Sequence, residues 1–180
     1  NAPTPLDYFE SLVADDAHFP LLEAAIAVAQ DEYPQLDTQG VLATIDAMGV
    51  ALKKRVPTDA APLQRMRVLN QYFFRDLGFA GNVNNYYDVG NSFIHRVLET
   101  RRGIPITLAL IYIELAQGVG LQARSVSFPG HFLIKWRLQG GEVVIDPFNG
   151  QSLSREDLDE RLQPYRRRHG LANDDEVELT

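Results

Sequence analysis

No cysteine occurs in the 180 residues. That absence excludes disulfides, thiolate metal ligands and a thiol nucleophile. Cationic excess is absent too: 17 Lys and Arg stand against 24 Asp and Glu, a net charge of −7, which counts against nucleic acid or an anionic membrane as partner. The longest apolar run, Ile104 to Ile113, falls well short of the ~20 residues that span a bilayer. The first residues, "NAPTPLDYFE", lack the basic start and apolar middle of a signal peptide. Together these absences predict a soluble, cytoplasmic protein that engages neither nucleic acid nor membrane.

What is present suits one folded domain, or one domain with an extension, large enough to bury a core without staples. "HFPLLEAAIAVAQDEYP" places Leu21, Leu22, Ala25, Ile26 and Ala29 at helical spacing, opened by Pro20 and closed by Pro34. A second helix carries Val41, Ile45, Met48 and Leu52, with Asp37 or Thr38 as cap and Lys53, Lys54 and Arg55 at the negative end of its dipole. A third puts Leu63, Met66, Leu69, Phe73 and Leu77 on one face and stops at Gly78. Beyond it, "FAGNVNNYYDVGNS" is loop chemistry, and a short helix over 92–100 follows. "RRGIPITLALIYIELAQ" then predicts a helix from Pro105 to Gln117, apolar on every side and therefore buried centrally. "LQARSVSF", "HFLIKWRL" and "EVVIDPF" read as strands, the last two joined by a turn at Gly140 and Gly141. Ser154 caps a final helical turn. The pattern is α+β: helices, then an antiparallel meander. Residues 1–78 form an N-terminal helical region, 79–162 the core, and 163–180 a polar tail or linker.

Several groups can carry chemistry. Pro105 suits the first position of its helix, because the N–H it lacks would be unpaired there. Ile104 offers no side-chain cap, so the N–H groups of Ile106 and Thr107 need a partner: Thr107 itself, a loop Asn, or a bound anion. Arg101 and Arg102 directly precede this start. His131 opens one strand and Asp146 closes the next, the supporting half of a nucleophile-His-Asp arrangement or simply a structural pair. A tight turn at Gly140 and Gly141 would set Asp146 opposite Lys135. Tyr86, Tyr87, Asp88, Asn91 and Ser92 form a polar loop; Tyr86 and Tyr87 divide between core and polar contact, and Ser92 is either a nucleophile or a helix cap. No Glu follows this cluster at the offset of a calcium loop, and neither a metal nor a cofactor is expected.

The segments "LNQYFF", "LGFAGNVNNYYD", "NSFIHRVLETRRGIPITLALIYIELAQGVGLQARSVSFPGHFLIKW" and "VVIDPFNG", in this order over roughly 69–150, resemble the transglutaminase-like superfamily. The nearest branch is the bacterial SirB-type group, whose members are described as regulators. The resemblance implies a papain-like core: a central buried helix against an antiparallel β-sheet, packed beneath an N-terminal helical bundle. It also implies a Cys at the helix start, a His on one strand and an Asp on the next. His131 in "GHFLIKW" and Asp146 in "IDP" match the latter two. Counting back from "GLQAR", the Cys position falls on Pro105, so the nucleophile is absent. Two readings follow. One is a non-catalytic module (a pseudoenzyme) that binds a protein or peptide through the former active-site cleft, lined by Arg101, Arg102, Tyr86, Tyr87, Asp88, Asn91 and Ser92, with a small anion at the start of the Pro105 helix. The other is a hydrolase or acyl transferase in which Thr107 or Ser92 replaces the thiol, with His131 as base. Oligomeric state leaves no trace in the sequence.

Overall fold

The computed structural model describes residues 21–85, 88–128 and 131–169, without the side chains at 127, 128, 131, 162 and 164–169. Among the described residues three helices come first: α1 (Leu21–Glu32), α2 (Thr38–Arg55) and α3 (Pro62–Asn70). Asp37 caps α2 by accepting from the Gly40 N–H at 3.0 Å, and the basic last turn predicted for it is present. The third helix departs from its even pattern. It ends at Asn70 and continues as a π-helical turn, Gln71–Asp76, in which the Leu77 N–H reaches the carbonyl of Tyr72 at 2.8 Å. The wider turn brings both Tyr72 and Phe73 inward, Phe73 stacking on Phe79 with ring centroids 4.5 Å apart. Leu63, placed on the buried face by helical spacing, is exposed.

A two-residue parallel pair follows, β1 (Ala80–Gly81) with β2 (Arg102–Gly103). Between them lie a 3₁₀ turn (Val89–Ser92) and α4 (Ile94–Thr100). Ser92 does not cap that helix: the cap position is Phe93, without a side-chain bond. The central helix α5 runs from Pro105 to Gly118 with Pro105 in its first turn, and Ile106, Leu108, Ala109, Leu110, Ile111, Tyr112, Leu115 and Ala116 are buried. The chain reverses at Gly120, whose φ of +74° is a left-handed conformation that glycine adopts at no steric cost.

The sheet is antiparallel in the order β3 (Ala123–Phe128), β4 (His131–Leu138), β5 (Gly141–Ile145), β6 (Ser152–Leu153). The β4–β5 turn is Gln139–Gly140, and Gly141 already pairs with Leu138. The register is therefore shifted from the expected one. Ile134 faces Ile145, so its continuation sets Asp146 opposite Leu133 rather than Lys135, closer to His131. Alternation divides the sheet. Phe132, Ile134, Trp136 and Ile145 join the main core with α5 and the three N-terminal helices. Val126, Leu133 and Val144 form a second, smaller cluster on the outer face, covered by Leu153 and Leu158. Leu158 lies on α6 (Arg155–His169), which extends well past residue 163, where the sequence suggested a polar tail. Its start is a reciprocal cap: the Ser154 N–H donates to Asp157 Oδ2 at 2.9 Å and the Asp157 N–H to Ser154 Oγ at 3.1 Å.

One core therefore runs from α1 to β5. No helix among the described residues is long and apolar enough to cross a membrane.

Candidate functional site

The start of α5 is organised by one hydroxyl. Thr107 is fully buried, and its Oγ1 accepts from the Ile104 N–H at 3.2 Å. The same hydroxyl lies 2.9 Å from the Asn91 carbonyl and 3.1 Å from that of Ile104, one of which takes its proton. Thr107 thus ties the residue before the helix to the loop, through the Ile104 N–H rather than the N–H groups of Ile106 and Thr107. Gly103 is required beside it, because a Cβ there would lie 2.8 Å from Thr107 Oγ1.

Asn91 joins the loop to this point. It is buried, its Nδ2 donates to the Asn85 carbonyl at 2.7 Å, and its Oδ1 accepts from Asn82 Nδ2 at 3.0 Å. Asn82 Oδ1 in turn accepts the Asn85 N–H at 3.1 Å. Asp88 caps the 3₁₀ turn through the Gly90 N–H at 2.9 Å. Asn91 and Asp88 are thus loop-building groups. Asn82 and Asn85 belong to the same network, which composition marks as turn chemistry without naming the pairs. Tyr86 and Tyr87 lie outside the described residues.

The two arginines before α5 are turned to other work. Arg101 takes a left-handed φ of 59° at the end of α4. Its Nε donates to the Leu98 carbonyl at 3.0 Å and its Nη1 to that of Leu77 at 3.2 Å, with the guanidinium over the Phe79 ring. Arg102 Nη1 donates to the carbonyls of Gly78 and Arg101 at 2.7 and 3.0 Å. Both cations serve the main chain around the π-turn and α4. The donors so engaged are turned to these carbonyls and not to an anion at the α5 start.

Asp146 is buried, and each of its oxygens has a partner. Oδ1 accepts the Phe148 N–H at 2.9 Å, the local bond of a tight Asp-Pro-Phe turn. Oδ2 accepts from Arg161 Nη1 on α6 at 2.7 Å. The turn is further closed by the Gly150 N–H on the Asp146 carbonyl at 2.8 Å. Arg161 is the residue that sequence reasoning missed; its signal was the i, i+3 spacing from Leu158 on one helix face. His131 opens β4 and pairs with Phe128, but its side chain lies outside the described groups. Pro105, Thr107, Asn91 and the loop are thus brought together at one end of α5, while Asp146 stands with Arg161 at the sheet.

Deeper in the domain, Trp136 Nε1 donates to the Tyr112 hydroxyl at 3.2 Å, which in turn donates to Asn70 Oδ1. Burial holds the Tyr112 hydroxyl well above its ordinary pKa, so it remains a donor. Among the described residues no group of three or more His, Asp or Glu could hold a metal ion.

Among known proteins, a "UPF0162 protein" of Xylella fastidiosa (strain 9a5c) is 40% identical over 152 residues, covering 84% of this chain and 54% of that protein. A "UPF0162 protein" of Vibrio cholerae is 33% identical over 95 residues, 52% of this chain and 35% of its own length. The human "F-box only protein 21" is 39% identical over 87 residues, 48% of this chain but 14% of that protein. The chain thus spans about half the length of the Xylella relative. No solved structure matches it. The family profile described as the transglutaminase-like superfamily matches residues 39–178, across the central helix, the sheet and most of the N-terminal helices, and the chain belongs to that superfamily.

Proposed function

We propose that this domain is a non-catalytic member of its superfamily, a cytoplasmic module that binds a protein or peptide through the cleft where relatives would place their chemistry. One observation carries the reading: the first turn of α5 offers no free nucleophile. Pro105 stands where the resemblance implies a cysteine, and the chain contains no cysteine. The nearest hydroxyl, on Thr107, is fully buried and bound within the fold. A second reading, with Thr107 acting on an acyl substrate, would need that hydroxyl to leave its partners and find a base, so it is not favoured. Loss of the nucleophile from such a triad costs on the order of a million-fold in turnover. Asp146, engaged by Arg161, suits a structural or recognition role as well as it would suit orienting a histidine.

The test has two arms. Hydrolysis and amine transfer are followed on activated acyl esters with the wild type, Thr107→Ser and His131→Ala. Equal rates at the buffer background are expected, and a wild-type rate abolished by His131→Ala would overturn the reading. A crosslinked peptide library is then screened against the wild type and the His131→Ala/Asp146→Ala variant, with capture by the wild type and its loss in the variant expected. Capture that is identical in the two would show that the partner surface lies elsewhere.

A further inference from the structure

We propose that α6 is a detachable strap on the outer face of the sheet, seated or released as one unit, and that the Arg161–Asp146 pair is its clip. Three observations bear on this. First, the described apolar contact of α6 lies outside the main core. Leu158 packs with Leu153 over the separate patch of Val126, Leu133 and Val144, whereas every earlier α-helix contributes to the cluster that includes Trp136 and Ile145. Second, the helix start is self-sufficient. The Ser154–Asp157 cap is local, so α6 keeps its own first turn whether or not it touches the sheet.

Third, the clip has a fixed half and a movable half. Asp146 is held without α6, by the Phe148 N–H on Oδ1 and by main-chain bonds from its own N–H to Gln151 and from Gly150 to its carbonyl. Arg161 brings the other half on α6. Their side chains are 10% and 26% exposed, a setting in which a charge-assisted bond is strong and an abandoned carboxylate is costly. The pair therefore favours the seated state. Release uncovers an apolar row, Val126, Leu133 and Val144, beside a pre-positioned carboxylate. That surface matches an amphipathic helix carrying a cation one turn beyond a leucine, the arrangement of Leu158 and Arg161 in α6 itself.

Hydrogen exchange resolved by peptide, on the whole chain, tests the proposal. In the wild type, amides of α6 should exchange faster than those of α5 through a local opening. Arg161→Gln should speed α6 at least roughly tenfold and leave α5 unchanged, while Arg161→Lys, which keeps the cation, should restore most of the protection. Leu158→Ser, acting on the apolar contact instead of the clip, should give the same signature. Acceleration of α5 together with α6, or α6 protection indifferent to both Arg161→Gln and Leu158→Ser, would overturn it.

Discussion

The Thr107 hydroxyl lies 2.9 Å from the carbonyl of Asn91, so the asparagine-rich loop hangs from the central helix by a fully buried group. Replacing it with Thr107→Val keeps the shape and removes the bond. The Ile104 N–H then loses its acceptor out of water, at a cost of about 1–3 kcal/mol. Thr107→Ser should recover most of it. Urea unfolding curves check both, and a Thr107→Val protein as stable as the wild type would mean that the helix start needs no such closure.

Gly81 lies against the turn that carries Asp146. A Cβ there would sit 2.0 Å from the Phe148 ring, and the Gly81 N–H donates to the Phe148 carbonyl at 2.7 Å. Gly81→Ala must displace that ring and should destabilise by about 1–3 kcal/mol. Gly49, inside α2 with nothing within 4 Å of the place a Cβ would take, gives the opposite sign: Gly49→Ala should stabilise by about 0.5–1 kcal/mol. Thermal melts of the two variants side by side measure the contrast.

Glu114 on α5 has its carboxyl pKa raised, first by desolvation and then by the charges of Asp46 and Glu23. The fold favours its protonated form. Its contribution to stability is therefore complete below the ordinary carboxylate range and is lost as pH rises through the raised folded value. Glu114→Gln removes that loss. The variant should match the wild type near about pH 4 and exceed it near about pH 7, as read from melting temperatures; a gap that narrows with rising pH would contradict the assignment.

Tyr112 accepts the indole N–H of Trp136, the one tryptophan of the chain. Tyr112→Phe leaves that N–H without its acceptor inside the core and should cost about 1–3 kcal/mol. Tryptophan emission, which here has a single source, should change with it. An unaltered spectrum and midpoint would show that the indole does not depend on the hydroxyl.

Much of the scaffold was legible in the residues. The span of α5 was readable because its apolar side chains leave no solvent face, and α2 because Asp37 and the Lys-Lys-Arg end mark both termini. The π-turn was not, since Leu63 and Phe73 fit a 3.6-residue period until one turn takes in an extra residue. The hairpin was misplaced by a residue because Gly140 and Gly141 are equally good turn formers by composition, and backbone pairing decides between them. At the site, Pro105 at the start of the helix followed from its pattern, whereas Thr107, named as a partner for the N–H groups of Ile106 and Thr107, takes the Ile104 N–H instead. Arg101 looked like an anion ligand because a sequence shows a charge but not the left-handed turn that aims it at Leu98 and Leu77. Arg161 falls inside the stretch assigned to the core, but its polar surroundings name no partner, and only Leu158, three residues before it, marks the side of the helix turned to the sheet.

Pro105 also bears on how this helix start could change. No single base change converts a proline codon into a cysteine codon; the route passes through serine or arginine. Either intermediate gives up the preset φ of the first turn before any thiol appears, and arginine would bring a cation to the edge of a buried helix as well. Pro105 therefore stands at least two base changes from a thiol, and on either path the helix start loses its preset first turn before it could gain a nucleophile.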